Sequence, residues 1–174
     1  MSTFTVAELE RRMANMIRIG TIASVDVDAA RCRVKLGELI TGDLPWLTAH
    51  AGETRSWAAP SVGEQVLVFS PFGDIAQGVV LPSLYQQAHA APSADPAEQL
   101  SQFEDGAVTS YNSTTHRLSA LLPAAGVVHL VAPDGITIEG DVTVTGDVIA
   151  NGISLISHVH GGVTPGGATT SGPQ

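Results

Sequence analysis

PSVGEQVLVFSPFGDIAQGVVLPSLY, residues 60–85, predicts the architecture of the first half of the chain. It contains two runs of strand-forming residues, at 64–70 and 77–83, which are joined by the glycine-containing turn PFGDIA. Short runs rich in valine and leucine, bounded by glycine and proline, are typical of antiparallel strands with a short connection. We therefore expect a β-hairpin in this stretch.

The residues before this hairpin continue the same pattern. RIGTIASVDVDAARCRVKLG, residues 18–37, has alternating apolar positions on either side of a polar turn, and this predicts a second hairpin. A further extended stretch follows at 39–52. Roughly five short strands with glycine and proline turns favour a small closed barrel over residues 18–85. The sequence predicts that its core and rim contain the large aromatic residues Trp46, Trp57 and Phe72.

Residues 1–17 predict a helix. Apolar residues recur at helical spacing, and Thr5 with Glu8 has the spacing of a capping box, in which each side chain bonds a free backbone N–H of the first turn. The apolar stripe needs a surface to cover it, and its own domain and a partner chain both remain possible. The stripe comprises Val6, Leu9, Met13, Met16 and Ile17.

Residues 86–105 interrupt the strand pattern. Alanine, glutamine, proline and serine dominate this segment. Such a composition is typical of a linker, so we predict a domain boundary here.

Residues 106–156 are again rich in strand-forming and turn residues, and they contain a short repeat. Gly140, Gly146 and Gly152 are six residues apart. We expect one extended element with glycines at regular intervals, as in a β-helix or β-prism. From Ile136 to Gly152 the even positions are apolar or small, and from Thr137 to Asp147 the odd positions are polar or acidic, so one face of this element is apolar.

That apolar face predicts self-association. The remaining sequence offers no second layer to cover it, and a sheet face must be buried against another element. Identical strands from several chains could turn these faces toward a common axis. Glycine and alanine would then allow the backbones to approach closely. The pattern does not determine how many chains associate.

Charge and composition exclude several classes of function. Residues 1–55 carry seven acidic and seven basic residues, whereas residues 56–174 carry ten acidic residues and one base, Arg117. Such a surface repels nucleic acid and anionic lipid, so we expect no nucleic-acid partner. The single cysteine, Cys32, excludes an internal disulfide framework and is expected to be a small apolar residue in a strand. No secretory signal or membrane-spanning run is predicted.

The stretch SHVHGGVTPGG, residues 157–167, contains the candidate functional residues. In a strand, residues i and i+2 point to the same side, so His158 and His160 would share a face. Their even numbering matches the apolar face of Val142 and Val144, unless a bulge at 151–152 inverts the register.

A histidine pair on a shared axis would be suited to metal binding. If three chains met there, six imidazoles would surround one ion, and this geometry favours iron or nickel over tetrahedral zinc. No position would remain for a substrate, so such a site would be structural. The alternative is that both histidines are solvated residues of a C-terminal tail.

The order of these parts resembles the central spike, or baseplate assembly protein V, of phages with contractile tails. The resemblance lies in the 60–85 stretch, the GDVTVTGDV repeat at 140–148 and the terminal HxH. Spikes of R-type pyocins and of type VI secretion are relatives of that family. The resemblance covers nearly the whole chain.

The resemblance implies an all-β homotrimer. An OB-fold barrel (18–85), preceded by the short helix (1–17), would join the spike to tail hub proteins. After the linker (86–105), an intertwined triple-stranded β-helix (106–156) would lead to a metal-binding tip (157–174). There, His158 and His160 of three chains would hold one iron ion. The trimer would be assembled in the host cytoplasm, become part of the virion and transiently pierce the bacterial outer membrane.

No catalytic constellation is recognised, so we expect a mechanical protein and not an enzyme. Two other readings remain. A trimeric receptor-binding tip of a tail fibre would share the β architecture but would more often carry an aromatic carbohydrate-binding surface. A hexapeptide-repeat acyltransferase would need many more consecutive repeats than the three at 140–157.

Overall fold

The structure is a computed structural model that describes residues 3–159, together with residues 162 and 166. Most of the predicted metal-binding tip, including His160, lies outside the described residues. The chain forms two compact units, Met1–Gly126 and Val127–Gln174, and each is described by itself. The described part is mostly β-structure with one N-terminal helix, as the sequence predicts.

The N-terminal helix, α1, spans Thr3–Met16 and confirms the helical prediction. The predicted capping box is wrong, because the helix begins two residues before Thr5 and places Glu8 in its interior. There the Glu8 carboxylate accepts hydrogen bonds from Arg11 at 2.8 Å and from Arg12 at 2.7 Å. The hydrogen bonds from these two guanidinium groups lower the pKa of Glu8 to about 2. Glu8 thus pairs with residues of the following turn instead of reaching back to the helix start.

Five antiparallel strands form the main sheet of the first unit. They confirm both predicted hairpins: β1 pairs with β2 from Thr21↔Lys35 to Asp26↔Arg31, and β4 pairs with β5. Two short 3-10 helices, Pro71–Gly73 and Ile75–Gln77, connect β4 to β5. The strand order is β3-β2-β1-β4-β5. The strands are β1 (Ile17–Asp26), β2 (Arg31–Leu36), β3 (Leu39–Ile40), β4 (Gln65–Phe69) and β5 (Val79–Leu84).

The predicted barrel is not closed by a continuous ladder. Residues 44–47 run between β2 and β5. They pair with each strand through one isolated bridge, Cys32↔Leu44 and Trp46↔Val80. The Leu44 N–H donates to the Cys32 carbonyl at 2.8 Å, and the Val80 N–H donates to the Pro45 carbonyl at 2.9 Å. Pro45 has no N–H, so a regular strand cannot continue through this segment. A five-stranded, partly open barrel is the form that OB folds take.

The core of this barrel is aliphatic. Cys32 is buried in β2, as predicted, and burial raises the pKa of its thiol. Trp46 is partly buried and packs against the core cluster, and its ring is 5.6 Å from that of Trp57. Trp57 is 64% and Phe72 84% exposed, so these two lie at the rim. The prediction of core and rim aromatics is thus confirmed for the rim, whereas aliphatic side chains fill the fully buried interior. The buried core cluster is Ile22, Cys32, Val34, Leu36, Leu44, Val66, Val68 and Val80.

A second antiparallel sheet of the first unit has the order β6-β7-β8. Its first strand lies inside the segment predicted as a linker, which is thus shorter than predicted. Pairing with β7 stabilises a strand that glutamate and glutamine alone would not favour. The unit ends at Gly126, whereas the sequence predicts the boundary within 86–105. The strands are β6 (Glu98–Gln102), β7 (Val108–Asn112) and β8 (Arg117–Leu121).

In the second unit, the described residues from 127 to 148 form turns, bends and irregular segments outside any strand. The strands β9 (Ile149–Ala150) and β10 (Ile153–Ser154) then form an antiparallel hairpin. Within this chain, the expected extended element is therefore broken by a hairpin turn at 151–152. The β-helix remains a prediction, because its strands would pair between chains.

Candidate metal centre

His158 follows the β9–β10 hairpin after a three-residue turn. Its backbone N–H donates to the Ser154 carbonyl at 3.2 Å, and its ring Nδ1 lies 2.9 Å from the same oxygen. Residues 155–157 form the turn that brings the ring back over Ser154. His158 thus stands in irregular structure after a turn, and not in the strand that the i, i+2 argument assumed. Whether it shares a face with His160 is untested, because His160 lies outside the described residues.

The contact with Ser154 determines which nitrogen of the His158 ring carries the proton. A carbonyl oxygen only accepts, so the hydrogen bond requires the proton on Nδ1. Nε2 then carries the lone pair that a metal ligand needs. Metal-binding histidines commonly donate their other ring N–H to a backbone carbonyl, which fixes the tautomer and the ring orientation. The geometry of His158 therefore fits an imidazole ligand, and imidazole nitrogen suits iron.

The hairpin beneath His158 depends on a two-residue turn at Asn151–Gly152. Both residues have positive φ, 49° at Asn151 and 82° at Gly152. This is the type I′ geometry that the Asn-Gly pair favours in tight hairpins. The Leu155 N–H donates to the Val148 carbonyl at 2.9 Å and extends the pairing by one residue on each strand. A turn, and not a bulge, therefore interrupts the alternation after Ala150.

The Asp147 carboxylate lies beside the returning strand. Its Oδ1 accepts a hydrogen bond from the Ile156 N–H at 3.2 Å. A hydrogen bond from the Ser154 hydroxyl, together with backbone N–H groups including that of Ile156, holds the pKa of Asp147 below its usual value. Sequence reasoning missed Asp147 and Ser154. The Asn-Gly pair between short apolar runs was the signal for the hairpin that brings them together.

Other candidate ligands do not gather in the described part of the chain. The remaining histidines, His50, His89, His116 and His129, are all exposed and lie apart in the sequence. Over residues 3–159, 162 and 166, no group of three histidine, cysteine, aspartate or glutamate side chains could hold a metal ion. The described part of one chain therefore contributes His158 alone, and a complete site requires further ligands.

No helix among the described residues is long and apolar enough to cross a membrane.

Comparison with known families agrees with this arrangement. Residues 18–85 match the Type VI secretion system/phage-baseplate injector OB domain, the same span in which the sequence predicts the barrel. Residues 152–174 match the GpV Apex motif, which begins at the glycine of the hairpin turn and includes both candidate histidines. An OB domain followed by an apex motif defines a class of proteins, the spikes of phage baseplates.

A curated relative supports the same class. The chain is 39% identical over 144 residues to the protein named "Spike protein" of Escherichia phage P2. The matched region covers 83% of this chain and 64% of the length of that relative. The chain thus carries the OB domain and the apex motif of phage-baseplate spikes, and the resemblance identified from its sequence is confirmed.

Proposed function

We propose that this chain is the membrane-piercing central spike of a contractile tail, that it acts as a homotrimer, and that one iron ion locks its tip. The OB domain and the similarity to a phage spike protein support a role at the tail tip. In this role the trimer meets the bacterial outer membrane first when the sheath contracts. Its action is mechanical, and the family is one of structural proteins.

The observation that carries the proposal is the exposure of aliphatic side chains in the described part of the second unit. A soluble protein does not leave so much apolar surface in contact with water unless a partner covers it. Association of three copies around an axis would bury these side chains. The even-numbered members are Ile136 (58% exposed), Ile138 (65%), Val142 (63%), Val144 (49%) and Val148 (44%).

At the tip, His158 and His160 of each chain supply the proposed ligands. The bound ion would hold the three chain ends together and resist fraying. The contact between His158 Nδ1 and the Ser154 carbonyl supports this role, because it places the ring proton on Nδ1 and the lone pair on Nε2. Six protein ligands would leave no open coordination position, so the site would be structural.

The first unit would attach the spike to the hub. Its helix α1 exposes Leu9 (58%) and Met13 (63%), and the nearby connection between β4 and β5 exposes Phe72 (84%). The apolar stripe of α1 is therefore largely uncovered by its own domain. This favours the other alternative, a partner chain. Apolar and aromatic residues of this kind are typical of the buried centre of an interface. We propose that hub proteins of the baseplate cover them, and that the acidic second unit faces away from the tail.

The proposal is tested by elemental analysis of the untagged protein together with its mass in solution. We expect one iron ion per three chains and the mass of a trimer. The H158A and H160A variants should lose the iron. H129A is the matched control, because His129 is an exposed histidine of the same unit outside the HxH motif, and it should retain the iron.

The other outcomes are informative. A monomer without metal would overturn the whole proposal. A trimer without metal would overturn the iron lock and leave the spike. Iron that survives both H158A and H160A would contradict the assignment of the ligands.

A further inference from the structure

The hydrogen bonds around His158 extend to a residue that the HxH motif does not include. Ser154 lies at the centre of this network. Its carbonyl accepts from both the backbone N–H and the Nδ1 of His158, at 3.2 and 2.9 Å. Its hydroxyl oxygen accepts from the Ser157 N–H at 3.0 Å and from the Ser157 hydroxyl at 2.8 Å. Two acceptor positions of the hydroxyl are thus occupied, and its own proton is left to donate.

Asp147 lies beside this network. Its carboxylate accepts a hydrogen bond from the Ile156 N–H at 3.2 Å, and the neighbouring Ser154 hydroxyl is the main cause that holds the pKa of Asp147 below its usual value. Asp147 lies before β9, whereas Ser154 is the last residue of β10 and Ile156 follows it. The carboxylate therefore links the start of the hairpin to its end. Hydrogen bonds to an ionised acceptor are about twice as strong as neutral ones, so this is the strongest hydrogen-bond acceptor next to the turn.

We propose that Asp147 is a positioning residue for His158: through Ser154 and Ile156 it holds the turn in the geometry in which the Ser154 carbonyl accepts the His158 Nδ1–H. The inference rests on the proposed metal tip and adds a residue to it. Asp147 does not touch the ion. It determines where the Ser154 carbonyl stands, and that carbonyl determines the tautomer and the direction of His158 Nε2.

The role has a specific consequence for metal binding. Removing the partners that orient a metal-binding histidine typically weakens metal binding about 10-fold to 100-fold. Replacing the carboxylate by an amide keeps the size of the side chain but removes the charge that strengthens both hydrogen bonds. The histidine would then sample other ring orientations before it binds.

The test compares D147N with D141N in the full chain. Asp141 is an exposed aspartate of the same unit, six residues earlier. We expect D147N to lose iron to a chelator about 10-fold or more faster than the wild type, with the trimer mass retained. D141N should lose iron at the wild-type rate. S154A, which removes the hydroxyl but keeps the carbonyl, should resemble D147N.

A second measurement does not need the metal. In the metal-free protein, nitrogen NMR of the His158 ring reports the fraction with the proton on Nδ1, and hydrogen exchange reports the Ile156 and His158 N–H groups. We expect D147N to lower that fraction and to speed both exchanges several-fold, and D141N to change neither.

The two measurements separate the possible failures. A wild-type protein that binds no iron would overturn the proposed metal tip, and the NMR result would still decide the role of Asp147. If D147N and D141N behave alike in the ring tautomer and in exchange, Asp147 does not position His158. If D147N changes the tautomer but not the iron release, the positioning role in metal binding is overturned.

Discussion

At the scale of single residues, Gly73 shows most clearly how the first unit is held together. It has a φ of 72°, and a Cβ at this position would lie 2.2 Å from the backbone carbonyl oxygen of Arg12. The connection between β4 and β5 therefore approaches the backbone of α1 more closely than any side chain would allow. This contact places the helix beside Phe72 at one end of the barrel.

The G73A variant should destabilise the first unit by about 3 kcal/mol, because it combines a left-handed alanine with an overpacked contact. Urea unfolding followed by tryptophan fluorescence measures the change, since both tryptophans of the chain, Trp46 and Trp57, belong to this unit.

G63A is the matched control for this prediction. Gly63 also has a positive φ, 89°, but no atom lies within 4 Å of the position of its Cβ. Its loss should be about 1 kcal/mol, from backbone strain alone. Equal losses in the two variants would show that the approach to Arg12 does not matter.

At the scale of elements, the β9–β10 hairpin determines the geometry of the tip. The repeat of glycines at 140, 146 and 152 suggested equivalent positions, but the three glycines differ in backbone conformation. Gly152 occupies the second position of the turn with a φ of 82°, whereas Gly146 has open space around it and no left-handed φ. Of these two glycines, only Gly152 is therefore required by backbone conformation.

The G152A variant should loosen the hairpin by about 1–2 kcal/mol, the cost of a left-handed alanine. Hydrogen exchange of the Leu155 N–H, which is bonded to the Val148 carbonyl at 2.9 Å, should then be faster by roughly ten-fold. G146A should change this rate by less than about two-fold, because alanine is compatible with its backbone. If G146A opened the hairpin as much as G152A, the assignment of the turn would be contradicted.

At the scale of the whole molecule, the two units differ in how they bury apolar residues. The first contains a buried aliphatic cluster within one chain. In the second, all described residues from 127 onward are exposed except Ser154, which is half-buried. A unit of this kind cannot derive its stability from its own core, and the proposed trimer would supply it.

The V142N/V144N double variant should dissociate the trimer, because each valine buried between chains contributes about 1.5–3 kcal/mol. T143N/T145N is the control. It makes the same number of substitutions at the neighbouring polar residues, which point to the opposite face. Analytical ultracentrifugation should show a monomer for the first variant and a trimer for the second. If both variants remained trimeric, the even-numbered face would not be the interface.

Local pattern was sufficient for part of the architecture. Alternating apolar residues determined β1, β2, β4 and β5 and the burial of Cys32, and helical spacing determined α1. These features depend on neighbours in the sequence, so they can be read from it. The HxH motif likewise identified His158 as a candidate ligand from two adjacent positions.

Contacts between distant residues required the tertiary structure. Strand β6 exists because it pairs with β7, and the barrel stays partly open because Pro45 interrupts the segment that runs between β2 and β5. The network from Asp147 through Ser154 to His158 exists only after the hairpin folds back on itself. The sequence by itself determined the helix, the strands of the two hairpins in the first unit and the candidate metal ligand. Only the tertiary structure decided which groups meet, because hydrogen bonds and close approaches depend on the path of the whole chain.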